Sequence, residues 1–278
     1  MDTQHNGKRA NIAKALLIAL IPAISLIAAL MFLIHYQKEY EIADNEYEQV
    51  ADDYAKETSD IGSYIKVLAQ ENPGAKDSLD EKMHDATEGN LKKVDFLSLI
   101  NENSDVTAWI TVPFCSINYP VVQGPDNDKY LKTTYQGTAN SAGAIFMDYT
   151  NNRSFNDMHT LVYGHNMKNN SMFGGLKKIR DNPEAAKEDP YFYIYLPDGH
   201  MRQYEIFSAR VIHADDPCYR FFDGMDEYHR FVNECLSGSK SKWNVNSDLS
   251  SGLPIVTLST CSGDNDRFVV HGILHAIY

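Results

Sequence analysis

Hydrophobic and polar positions give this chain three successive textures. After a polar, basic opening, Ala15 to Ile34 (ALLIALIPAISLIAALMFLI) is an uncharged stretch of twenty residues. About twenty apolar residues is the length a helix needs to cross the hydrocarbon core of a bilayer, and lipid tolerates a proline such as Pro22 inside it. A cleaved signal peptide is the competing reading. The apolar run is too long for one, and no small-x-small site precedes the polar sequence. The pattern predicts an uncleaved transmembrane anchor over 15–34.

The second texture runs from Tyr36 to about Gln70. Tyr40, Tyr47, Tyr54, Ile61 and Leu68 recur every seven residues. Tyr36, Ala43, Val50 and Tyr64 take the companion heptad position, with Glu57 as the one break. This predicts an exposed, charged helix. A coiled-coil stalk is one reading of it. Tyrosines in place of Leu or Ile, and a charge in the seam, favour an amphipathic spacer that rests on its own domain or stands off the membrane. Asn72-Pro73-Gly74 ends that helix, and Ser78 with Glu81 makes a capping box opening a second, short one. A third starts after Asp95, with Phe96, Leu97, Leu99 and Ile100 as its apolar face.

From residue 106 the texture becomes short β-branched and aromatic runs: VTAWITVP, NYPVVQG, GAIFMDY, HTLVYGH, YFYIYLP, QYEIFSARVIHA, PIVTLSTC and RFVVHGILHAI. Turn residues separate them, which predicts a sandwich or a closed barrel. Met172 to Arg180 and Asp226 to Leu236 read as helices instead.

Charge narrows the function. Over 278 residues the formal net charge is −13, with no basic run beyond the N-terminus. Nucleic-acid binding is excluded, because phosphate neutralisation needs clustered Lys and Arg. Lys8, Arg9 and Lys14 precede the apolar span, whereas Glu39, Glu41, Asp44, Glu46 and Glu48 follow it. The positive-inside tendency leaves the N-terminus in the cytoplasm and everything after residue 35 outside.

The chemistry concentrates in TLSTCSGDNDRFVVHG, residues 257–272. If PIVTLSTC and RFVVHGIL are consecutive antiparallel strands, Cys261 and Arg267 face each other across the hairpin mouth. A cysteine near its ordinary pKa is a few per cent thiolate at neutral pH, so a nucleophilic one needs a base or a cation nearby. Arg267 supplies the cation and can donate to an oxyanion. Of ten histidines, His165 is the candidate base: it ends a strand, follows a glycine and precedes a polar loop. His271 and His275, in the last strand, read as partly buried structural residues. Cys235 reads as packing on its helix, and Cys115 and Cys218 lie in loops, free or paired. The four cysteines form no metal-binding spacing.

VYGHNM, SMFG, TLSTC and RFVVHG together resemble the sortases, membrane-anchored cysteine transpeptidases of Gram-positive bacteria. DFLSLINENSDVTAWITVP, YPVVQGPDNDKYL, GAIFMDYTN and VYGHNMKNNSMFGGLKK are similar, in order, to the motifs of class B. The resemblance runs from about residue 94 to Tyr278. It implies a mostly β fold, an eight-stranded closed barrel with N-terminal helices and an extra helix before the cysteine strand. The organisation expected is then a cytoplasmic N-terminus (1–14), an anchor (15–34), an extracellular helical stalk or linker (35–93) and a catalytic domain (94–278).

By the same resemblance Cys261 is the nucleophile, His165 the acid/base and Arg267 the stabilising cation, while Asn127, Leu131, Ser259 and Tyr219 line the substrate groove. No metal or organic cofactor is required. The implied partners are surface proteins carrying a C-terminal sorting signal, an amine on a lipid-linked peptidoglycan precursor, and membrane lipid around the N-terminal helix. The connection SGDND is shorter than class B usually carries, which puts substrate preference in doubt. Three alternatives compete. A pilin-polymerising sortase lacks a legible lid or second anchor here, a surface cysteine peptidase would give the acyl group to water, and a non-catalytic binding domain has no reason to retain Cys261, His165 and Arg267 together.

Overall fold

In the computed structural model the structure describes residues 3–57, 91–222, 224–261 and 265–278. The chain divides into two units, Met1–Asp44 and Asn45–Tyr278. The first is helical from Thr3, within one helix that continues to Tyr54. Beginning at Leu20, that helix is long and apolar enough to cross a membrane. Leu26 and Met31 stand on it 72% and 67% exposed.

Two helical expectations change. The helix read as far as Gln70 stops at Tyr54, and Ala55–Glu57 forms strand β1, antiparallel to β2 (Lys92–Val94). The stop falls where the heptad breaks: Glu57 pairs with Lys92 and receives its Nζ at 3.2 Å. The remainder of the heptad, the Asn-Pro-Gly stop and the Ser78 capping box lie outside the described residues. The helix after Asp95 spans Phe96–Glu102, with the Asp95 carboxylate accepting from the N–H and hydroxyl of Ser98. Only Leu99 of its expected apolar face is fully buried, and Leu97 is 76% exposed. Residues 96, 99 and 100 share one helical face, whereas 97 falls further round the axis.

The second unit is built on a closed barrel. Among the described residues its strands are β3 (Val106–Val112), β4 (Ile117–Val122), β5 (Ile145–Met147), β6 (His159–Tyr163), β7 (Tyr191–Tyr195), β8 (Met201–His213), β9 (Ile255–Cys261) and β10 (Asp266–Ile277), joined in the order β10-β8-β7-β3-β4-β5-β6-β9 and back to β10. Closure removes sheet edges. β3 is buried on both faces, so VTAWITV is an unbroken buried run and does not alternate. β6 and β9 are parallel, and β9 and β10 are antiparallel.

The expected helix before the cysteine strand spans Met225–Gly238. Tyr228, Phe231, Val232 and Cys235, at i, i+3, i+4 and i+7, face a core with Phe207, Ile255, Val269 and Ile273 of the barrel. The expected helix over 172–180 is a 3-10 turn, Phe173–Leu176, followed by Lys177–Asp181.

Candidate active site

Three neighbouring strands end at one rim of the barrel. Parallel β6 and β9 pair Tyr163 with Ser259, and Gly164 donates its N–H to the Ser259 carbonyl at 3.1 Å. His165 and Cys261 are each two residues beyond that pair. On the other side of β9 the register sets Cys261 opposite Arg267, the arrangement expected of the hairpin. Adjacent strands lie about 4.8 Å apart, so backbone pairing alone gathers these three positions.

Beside them is a groove of about 440 Å³. Asn127, Leu131, His165, Tyr219, Ser259 and Arg267 all line it, together with Phe146, Tyr163 and Thr260. Residues from five separate parts of the sequence thus share one surface.

His165 is half-buried, and its Nε2 lies 2.6 Å from the Leu131 carbonyl oxygen. Gly143 underlies that contact. Its φ is +58°, and a Cβ there would meet the Tyr130 carbonyl at 2.5 Å and the His165 ring at 3.1 Å. The Gly143 carbonyl in turn accepts from the hydroxyl of Tyr47 at 2.7 Å. Within the second unit, the last turns of the long helix therefore brace the floor under His165.

Arg267 Nη1 donates to its neighbour's carbonyl, Asp266 O, at 2.9 Å. Tyr219 comes from the 3-10 turn Pro217–Tyr219, whose start is capped by the Asp216 carboxylate accepting from Cys218 N–H at 2.8 Å. Its hydroxyl shares a 2.8 Å hydrogen bond with Ser259 Oγ. Burial pushes the Tyr219 phenol up to about 12, with the Ser259 contact opposing the rise, so it stays protonated and polar at the groove.

Cys115 and Cys235 are buried free thiols, pushed up to about 12 chiefly by burial, and Cys218 is a buried free thiol raised in the same way. A thiol held protonated is a poor nucleophile, and these three are packing residues. His271 is fully buried and His275 half-buried, as expected of structural histidines.

Sequence reasoning assigned no role to Tyr163 or Asp148. Asp148 is 7% exposed and accepts from Asn127 Nδ2 at 2.8 Å and Tyr163 Oη at 3.0 Å. Burial alone would raise its pKa. Hydrogen bonds from Thr150, Asn127 and Tyr163 outweigh that and hold it below the usual carboxylate range. The available signal was an acid placed directly after the buried run IFM.

A family profile described as the sortase domain matches residues 110–275. Sortase B of Listeria monocytogenes is 31% identical over 179 residues, covering 62% of this chain and 70% of the relative. Sortase B of Staphylococcus aureus is 32% identical over 170 residues, covering 60% of this chain and 67% of the relative. Among solved structures, Clostridium perfringens sortase B superimposes with a TM-score of 0.61 at 32% identity, covering 66% of this chain and 100% of that one.

Proposed function

The chain belongs to the sortase family, in class B, and on that premise we propose that it is a membrane-anchored transpeptidase that cleaves a C-terminal sorting peptide at threonine. The observation that carries the residue assignments is the convergence of His165, Cys261 and Arg267 at the ends of β6, β9 and β10, beside one groove.

In this reading Cys261 is the nucleophile. His165 Nδ1 takes the thiol proton, and the sulfur attacks the threonine carbonyl carbon. The carbonyl oxygen becomes an oxyanion, to which the Arg267 guanidinium and nearby N–H groups donate. Collapse breaks the C–N bond, and His165 returns the proton to the leaving amine. An amine of a cell-wall precursor then attacks the thioester and loses its proton to His165, which passes it to the departing sulfur. Asn127, Leu131, Ser259 and Tyr219 hold the peptide. These steps call for no metal or organic cofactor.

The N-terminal apolar helix supports the anchoring. Basic residues before it and acidic residues after it favour a cytoplasmic N-terminus and an extracellular catalytic unit. Tethering enzyme and anchored substrate to one surface raises their effective concentration.

The test uses the full chain in detergent micelles with fluorescent NPxTN-like and LPxTG-like peptides and an added amine, read by mass spectrometry. The expected result is a threonine-linked adduct on Cys261 that resolves to an amide. Hydrolysis alone, despite saturating amine, would make the protein a peptidase. No adduct with any peptide would overturn the sorting-peptide reading.

A further inference from the structure

Beneath the groove the Asp148 carboxylate is saturated. Oδ1 accepts from the Thr150 N–H at 3.0 Å and the Thr150 hydroxyl at 2.6 Å. Oδ2 accepts from Asn127 and Tyr163. An ionised carboxylate offers about four acceptor sites and no donor, so every partner must point hydrogen at it.

That dictates the state of both groove residues. The Asn127 atom facing Asp148 must be the amide nitrogen. Its oxygen is independently required on the other side, where it accepts from the Tyr149 N–H at 3.0 Å. The two constraints agree and exclude the flipped amide. One Asn127 amide hydrogen then remains uncommitted to Asp148. The Tyr163 proton, directed at the carboxylate, leaves its oxygen as an acceptor.

We propose that Asp148 is a positioning residue that fixes the polarity of this wall, so that Asn127 presents an N–H donor that reads a main-chain carbonyl of the bound peptide. The inference rests on the sorting-peptide reading above. It concerns recognition of the peptide backbone and not of a side chain, so it predicts a subsite tolerant of the residue seated there.

The test is single-turnover acylation of the full chain in micelles with a fluorescent NPxTN-like peptide, or the LPxTG-like peptide if only that one acylates. Formation of the wild-type adduct reports on the sorting-peptide reading separately. Asp148→Asn is expected to raise the half-saturating peptide concentration about tenfold, with the maximal acylation rate within about threefold. Asn127→Asp alone sets two carboxylates together and lowers the melting temperature. Combining it with Asp148→Asn restores the melting temperature while the half-saturating concentration stays raised, because the wall now offers an acceptor. Recovery of normal peptide binding in the double variant would overturn the proposal.

A second arm needs no change at Asp148. A thioamide walked along the peptide, a poor acceptor at one carbonyl at a time, should weaken binding about tenfold at one position in the native protein and less than twofold in Asn127→Ala. An effect at no position would sink the idea. Without any substrate, the Asn127 side-chain amide should show by NMR one proton protected from solvent exchange, the one on Asp148, and one that exchanges freely, and equal exchange of the two would equally overturn it.

Discussion

The Nε2 atom of His165 sits 2.6 Å from the carbonyl oxygen of Leu131. A carbonyl only accepts, so the neutral ring carries its proton on Nε2 and keeps Nδ1 as the basic nitrogen. Nitrogen-15 shifts of the labelled protein should show this tautomer for His165, and the opposite tautomer would remove Nδ1 from the proposed chemistry. Replacing His165 with Asn should slow acylation on the order of 10²–10⁴-fold.

Cys261→Ala is expected to abolish the adduct and leave the circular dichroism spectrum intact. Collapse of the spectrum would make Cys261 a structural residue. Arg267→Lys should lower turnover about 10²–10³-fold, since an ammonium does not reproduce the guanidinium fork at an oxyanion. Near-normal turnover would move that role elsewhere.

Gly164 is required by space. A Cβ at that position would lie 2.5 Å from Ile145 Cδ1 and 2.7 Å from Phe173 Cγ. Gly164→Ala should destabilise the fold by about 1–3 kcal/mol through overpacking. It should also displace His165, the next residue, and so slow acylation. Adding Ile145→Val should recover only part of the melting temperature, because the Phe173 ring still blocks the site.

Stability should fall in mild acid. His159 Nδ1 faces the Arg220 carbonyl at 2.8 Å and its Nε2 faces the Thr257 hydroxyl at 2.7 Å, which in turn meets His271 Nδ1 at 2.8 Å. The carbonyl makes Nδ1 the donor, and burial keeps the ring neutral, so Nε2 accepts from the Thr257 hydroxyl. Burial holds His159 at about 4, from an ordinary 6.5, and lowers His271 in the same sense. The unfolded chain therefore binds more protons between those values. The His159 contribution, roughly 3 kcal/mol, is present above about pH 6.5 and is lost as pH falls toward 4. Glu205 acts lower. Burial would raise it, but hydrogen bonds from His275, Ser247 and Asn246 hold it at about 2, so its contribution fades below about 4.5. Urea midpoints measured from pH 7 to pH 4 should decline, and His159→Gln should flatten the decline.

Local signals were legible where the physics is local. The helix over Met225–Gly238 showed in the spacing of its apolar residues, and the Cys261–Arg267 pairing followed from two strands and a five-residue connection. Ala55–Glu57 was misread because its partner, Lys92–Val94, is thirty-five residues away and no local pattern announces that pairing. Leu97 was placed on the wrong face because four apolar residues in five positions do not specify which side packs.

The amino-acid sequence by itself determined the strand-rich domain, the apolar N-terminal segment, and the motifs that resemble class B sortases, because each depends on neighbours within a few residues. It also singled out Cys261, His165 and Arg267. The strand pattern left sandwich and barrel open, the resemblance implied the barrel, and the structure shows it, whereas only the parallel β6–β9 register set His165 beside the end of the cysteine strand. The Leu131 carbonyl on His165, the Tyr47 brace under Gly143 and the Asp148 contacts with Asn127 and Tyr163 join residues 15 to 96 positions apart. Hydrogen bonds of that span form only after the barrel closes, when burial leaves each polar group to find the partner that folding brings to it.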